Sequence, residues 1–164
     1  MSFTFEDHIL RAIKSNVRYD GRKNDEYRKV SVEYGVSKTA EGSARVTIGN
    51  TEVIAGVKLG VATPYPDSAD QGMLMVDVHL LPLASPDFET GPPGIDAIEI
   101  ARVTDRGIRE SHCVDMKKMC IIPGEKVWSV SIDICAVNAD GNIFDAASLA
   151  AVAALEDTLI PALT

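Results

Sequence analysis

A period-two alternation that begins at Val30 and is broken by short glycine-containing turns constrains this chain most. Val30, Val32 and Tyr34 alternate with Ser31 and Glu33, and Ala44 to Ile48 and Glu52 to Val57 follow. Successive side chains of a strand point to opposite faces, so the pattern predicts three β-strands joined by tight turns. Glu41-Gly42-Ser43 and Gly49-Asn50-Thr51 stand between them. Glycine at such places is expected to supply the positive φ that short antiparallel connections demand.

A sheet with an apolar side needs a cover, and the remaining sequence supplies helices. Phe5, Ile9, Leu10 and Ile13 fall at helical spacing, so a short amphipathic helix is expected before the turn Asp20-Gly21-Arg22. Gly72 to Leu81 reads as a fourth strand, and the proline-containing stretch Ala62 to Asp70 before it reads as a surface loop. After an irregular stretch from Pro82 to Gly94, Asp96 to Cys113 reads as a helix with Asp96 and Glu99 in capping-box spacing. Cys120 to Ile122 and Val127 to Val137 read as two more strands, with Val130, Ile132 and Ile134 facing a core. The last helix, Asp145 to Asp157, is alanine-rich and apolar around nearly its whole circumference, which predicts close packing on all sides before Pro161 stops it. The expected fold class is α+β, a mainly antiparallel sheet covered by helices. Little in the sequence is left to pack on the far side of the last helix, where a second domain or a partner is expected.

At 164 residues the chain fits one domain that removes roughly 70% of its unfolded surface from water. An apolar fraction of 46% with 24% charged residues is that of an ordinary globular protein. The net charge of −8 excludes indiscriminate nucleic-acid binding, so any RNA contact must be local. Cys113, Cys120 and Cys135 form no C-x-x-C pair and suit reduced thiols. His8, His79 and His112 keep no ligand spacing with them, and neither metal nor cofactor is expected. The start of the chain lacks the pattern of an export signal, and Ala146 to Leu155 is about half of a membrane-spanning length. No membrane association and a cytoplasmic location are expected.

The segment Glu99 to Arg109 is the most informative for function. At about 100° per residue, Arg102, Arg106 and Arg109 fall within an arc of roughly 60°, with Ala97, Ile98, Ala101, Thr104 and Ile108 expected opposite. Guanidinium forks match phosphate oxygens, so the row is a candidate RNA-backbone contact. On spacing alone, a solvated face whose arginines pair with Glu99, Asp105 and Glu110 is the simpler account. Gly107 inside this helix hints at a close approach by another backbone or a ligand. Asp133, Asp140 and Asp145 read as strand, turn and cap residues, Ser111, His112 and Asp115 point in different directions, and Trp128 reads as core.

Several ordered motifs resemble one family. R-Y-D-G-R with Arg28 six residues on, E-G-S-A-R-V-T-I-G-N-T-E-V-I-A, E-I-A-R-V-T-D-R-G-I-R and D-I-C-A-V-N-A-D-G-N-I-F-D-A-A together resemble the first domain of RNase-PH-type phosphorolytic exoribonucleases. The resemblance runs from about Val17 to Pro161, after an N-terminal helix within residues 1–16. It implies one domain over 1–164 of the ribosomal-protein-S5-domain-2-like fold, without the family's second domain, and an arginine row that faces RNA. Active members follow A-D-G with a small residue and Thr-Arg or Ser-Arg, which hold inorganic phosphate; here Ile143 and Phe144 take those places. Neither side chain can bind a dianion, and the family's catalytic carboxylate lies in its second domain. No catalytic residue is therefore assigned. The early helix and this departure resemble the non-catalytic RNase-PH-like ring subunit of the archaeal exosome. That resemblance implies a hexameric ring alternating with a paralogous catalytic subunit, RNA-binding cap subunits and single-stranded RNA as partners. An autonomous phosphate-dependent exoribonuclease and a purely structural ring subunit remain the alternatives.

Overall fold

Val46, Ile48, Val53, Ala55 and Val57, all on one face of the alternating strands, are fully buried, together with Ile132 and Ile134. Each large aliphatic side chain taken from water in this way contributes about 1.5–3 kcal/mol, so this face is the main source of stability. In the computed structural model, which describes residues 4–162, these side chains line one side of a single mixed sheet. The elements in order are α1 (Phe5–Lys14), β1 (Val30–Tyr34), β2 (Gly42–Ile48), β3 (Thr51–Ala62), β4 (Met73–Leu80), α2 (Ile95–Ser111), β5 (Cys120–Ile122), β6 (Lys126–Asn138) and α3 (Ile143–Glu156).

The strand order is β1-β2-β3-β6-β4, with β5 paired to β6 at one end. The first three strands form an antiparallel meander, and β3 runs antiparallel to β6 from Glu52 opposite Asn138 to Ala62 opposite Val127. β4 is the exception to the antiparallel expectation and lies parallel to β6. Parallel neighbours need a crossover, and α2 provides it. α2 packs over β4, α3 packs over β2 and β3, and the two helices touch each other. The result is the α+β architecture expected, two layers around one core.

The hairpin between β2 and β3 turns at Gly49, whose φ is +63°. A Cβ there would also meet the Arg28 side chain at 2.8 Å, so two constraints converge on glycine. The other glycine turn is a correction. Gly42 lies within β2 with ordinary φ, and Gly35, at φ +66°, opens the preceding connection instead. Gly42 is required because α3 ends against it: a Cβ would overlap the Ala154 carbonyl oxygen and approach the Thr158 nitrogen to 2.6 Å.

Two helix expectations also need correction. α2 starts after Gly94, which makes no side-chain cap bond, so Asp96 and Glu99 are not a capping box. It ends at Ser111, with His112 left-handed at φ +54°, and Cys113 lies outside it. In α3, Ala146, Ala147, Ala150, Ala151, Ala153 and Ala154 are buried, while Leu149 and Val152 are 37% and 45% exposed. The helix is thus packed on its alanine side and bare on the other. α1 forms with Thr4 and Asp7 as its capping box but buries none of its residues.

Candidate nucleic-acid interface

α2 presents the arginines because its other side is anchored. Ala97, Ile100, Thr104 and Ile108 are buried, and the Thr104 hydroxyl lies 3.3 Å from that of Ser148 on α3. Ile100 takes the core position expected of Ile98, which is half exposed. A helix with that stripe inward turns Arg102, Arg106 and Arg109 outward, and all three are exposed. They line a groove whose other wall is Val76, Asp77 and Val78 of β4.

The three arginines differ in what holds them. Arg109 donates to Asp105 through Nε at 3.2 Å and Nη2 at 2.8 Å, and Nη2 also donates to the Leu74 carbonyl at 3.2 Å. The hydrogen bonds it donates to the Asp105 carboxylate raise its pKa further above the usual guanidinium value. The side chains of Arg102 and Arg106 make no hydrogen bond or ion pair among the described residues. Glu99 lies three residues before Arg102 and Glu110 four residues after Arg106, yet neither pair forms. An exposed pair of that kind is worth only about 0.3–0.5 kcal/mol, so an anion that accepts a bidentate bond competes easily for these side chains. Arg109 thus pairs with Asp105, while the exposed Arg102 and Arg106 side chains are open to solvent. At Gly107, nothing lies within 4 Å of where a Cβ would stand, so no protein backbone explains that glycine and the surface there is open.

At the start of α3, the turn Asp140-Gly141 is held by Arg28 and by the β2–β3 hairpin residues Asn50 and Thr51. Arg28 donates to the Asp140 and Gly141 carbonyls at 2.5 and 3.0 Å, and the Thr51 hydroxyl donates to the Gly141 carbonyl at 2.6 Å. Asn50 Nδ2 donates to the Asp140 carboxylate at 3.0 Å. Asn142 is left-handed at φ +58° and precedes Ile143, which packs partly buried against the core, and Phe144, which is 39% exposed. The Asp145 carboxylate accepts from Asn142 Nδ2 and the Tyr27 hydroxyl, each at 2.8 Å. These bonds hold its pKa below the ordinary aspartate value. The helix N-terminus, where partial positive charge collects, therefore already has a carboxylate of its own, beside two apolar residues. Arg28 belongs to the R-Y-D-G-R motif region, and Tyr27 carries no sequence signal beyond lying next to it.

The other candidates resolve plainly. Asp133, Asp140 and Asp145 have separate neighbours, Asp133 being 4.0 Å from His79. The Ser111 hydroxyl donates to the Ile108 carbonyl. Trp128 is buried at 9% exposure in β6. The three cysteines are free thiols. No helix among the described residues is long and apolar enough to cross a membrane.

Residues 26–161 match the model of the 3' exoribonuclease family, domain 1. The chain belongs to that family. Family relatives include an exosome complex component Rrp42 from Methanocella arvoryzae, 54% identical over 94% of this chain and 60% of the relative. Another exosome complex component Rrp42, from Archaeoglobus fulgidus, is 53% identical over 95% of this chain and 60% of the relative. A solved structure described as the Archaeoglobus fulgidus exosome with RNA bound to the active site contains a chain of the same fold. The TM-score is 0.91 at 52% identity, covering 94% of this chain and 61% of that one. The chain thus spans about three fifths of the length of these relatives.

Proposed function

We propose that this chain is a non-catalytic RNase-PH-like subunit of an archaeal exosome ring for 3'-to-5' RNA degradation. In this reading it binds single-stranded RNA through Arg102 and Arg106, with Arg109 as a third contact, and supports the active site of a paralogous catalytic subunit. It forms a single RNase-PH-like domain and acts in the cytoplasm. Its partners are the catalytic paralogue, alternating with it in a hexameric ring, and RNA-binding cap subunits.

The observation that carries this reading is the pair of exposed arginines, Arg102 and Arg106, whose side chains have no partner among the described residues although carboxylates lie within four residues of each. On a chain of net charge −8, unpaired guanidinium groups aligned on one groove are the kind of local site that RNA binding requires. The non-catalytic part of the reading rests on Ile143 and Phe144 in the first turn of α3, and on the Asp145 carboxylate beside them. Those groups offer no cationic ligand to a phosphate dianion.

The test is reconstitution with the catalytic paralogue, with RNA degradation followed for wild type and for Arg102→Ala/Arg106→Ala. Slower degradation with intact assembly is expected. Equal degradation by both would contradict the assignment of RNA to this groove.

A further inference from the structure

The groove that holds the arginine row has an apolar end. Ile95 and Ile98, in the first turn of α2, line the same groove as Arg102 and Arg106. At about 100° per residue the four side chains fall within an arc of roughly 80°. Ile98 stands four residues before Arg102, and Arg102 four before Arg106, so each is the neighbour of the next, one helical turn and about 6 Å of axis apart. One helix face therefore runs from two aliphatic side chains to two guanidinium groups.

Neither isoleucine belongs to the core. Ile95 is 81% exposed and Ile98 49%, whereas Ala97, Ile100, Thr104 and Ile108 hold α2 on the sheet. Leaving isoleucine in water forgoes most of the roughly 1.5–3 kcal/mol that its burial contributes. A single exposed aliphatic residue is ordinary on a protein surface. Two of them, three residues apart at the head of a row of unpaired guanidinium groups, form a seat for something apolar that also carries negative charge. The strip is two side chains long and is flanked by Asp96 and Glu99, far short of the roughly 1,200–2,000 Å² that a stable protein–protein interface buries. A nucleotide base offers an apolar face of matching size, with a phosphate on either side of it.

We propose that Ile98, with Ile95 beside it, seats one base of single-stranded RNA: the base lies against the two aliphatic side chains while the neighbouring phosphates of the strand meet Arg102 and Arg106. The assignment rests on the RNA-binding reading of the arginine row and extends it from the backbone to a base. Phosphate contacts position a strand and carry the salt dependence. The aliphatic seat removes an apolar base face from water, so it adds affinity without changing that dependence and without requiring a particular base.

The experiment measures binding of a fluorescent single-stranded oligonucleotide to the ring assembled with its catalytic paralogue, as a function of salt, with assembly followed by sedimentation. Four forms are compared: wild type, Ile98→Ser, Ile98→Leu and Arg102→Ala/Arg106→Ala. Serine has nearly the helix propensity of isoleucine, so α2 is kept in Ile98→Ser. That variant is expected to assemble normally and to weaken binding about fivefold with the salt slope unchanged. Ile98→Leu should bind as wild type, because apolar character and volume are conserved. An abasic site moved along the oligonucleotide should weaken wild type at one position and leave Ile98→Ser indifferent at that position. The proposal is overturned if Ile98→Ser binds as wild type while the double arginine variant is weakened, or if Ile98→Leu is as weak as Ile98→Ser. It is equally overturned if Ile98→Ser fails to assemble the ring, which would assign the side chain to a protein contact. If the double arginine variant itself binds RNA with unchanged affinity and salt slope, the RNA-binding reading fails, and the Ile98 assignment falls with it.

Discussion

The Tyr27 hydroxyl donates a 2.8 Å hydrogen bond to the Asp145 carboxylate across 118 residues of sequence, tying the segment before β1 to the first turn of α3. Hydrogen bonds from Asn142 and Tyr27 hold the Asp145 pKa below the ordinary aspartate value, and Asp145 in turn raises the Tyr27 pKa above the ordinary phenol value. A depressed carboxylate pKa gives stability that is present above the unfolded value and lost as pH falls through the folded value. A raised phenol pKa gives stability that is present below the unfolded value and lost as pH rises through the folded value. The network is therefore expected to weaken below about pH 4 and again above about pH 10. Thermal melts across pH for wild type and Tyr27→Phe check this: the variant should lose part of the alkaline sensitivity, and identical profiles would contradict it.

Gly42→Ala is expected to destabilise the fold by about 1–3 kcal/mol or more, because its Cβ would meet backbone atoms at the end of α3 that cannot turn aside. Gly60→Ala in β3 is the control, since nothing lies within 4 Å of its Cβ position. At roughly 2–4 °C per kcal/mol for a domain of this size, melting temperatures separate the two readily. Equal melting temperatures would show that α3 does not press on β2 as described.

The bare side of α3 is expected to make the isolated chain self-associate, because Leu149 and Val152 are exposed there and Val152 shares an apolar groove with exposed Ile160. Leu149→Glu/Val152→Glu should shift sedimentation toward monomer without loss of helix by circular dichroism. A wild-type chain that sediments as a sharp monomer would count against this.

Much of the architecture was legible in the alternation of residues 44–57 and 127–137, since one-sided burial leaves a period-two trace, whereas β1 alternates in the same way with all five of its residues exposed. The corrections fall where the deciding atoms are distant in sequence. Gly42 looked like a turn residue because its true constraint, the end of α3, lies more than 100 residues away. The parallel placement of β4 has no signature in β4 itself. It follows from the crossover through α2. For the candidate site, helical spacing alone aligned the three arginines, but which were free depended on pairing: Arg109 reaches both Asp105 and a carbonyl of β4, and Arg102 and Arg106 reach neither. Arg28 and Tyr27 gained roles only through contacts made more than 100 residues along the chain.

No phosphorolysis is expected from the chain alone. With Ile143 and Phe144 in the first turn of α3 and the Asp145 carboxylate alongside, that turn offers inorganic phosphate no cationic side chain of its own, and the Arg28 guanidinium next to it is committed to the Asp140 and Gly141 carbonyls. Incubation with RNA and phosphate should release no nucleoside diphosphate above background. Release that tracks the purified chain would overturn the non-catalytic reading.

The central claim is that Arg102 and Arg106 meet RNA phosphates, and the salt dependence of RNA affinity in the complete ring tests it most directly. Arg102→Ala/Arg106→Ala should weaken binding about equally for all RNA sequences and flatten the slope of log affinity against log salt by up to about 0.7 for each lost single-strand contact. Both side chains lie on the exposed side of α2, so melting should change by less than about 0.5 kcal/mol. A double variant with unchanged affinity and unchanged slope would contradict the account and return the row to an ordinary solvated helix face.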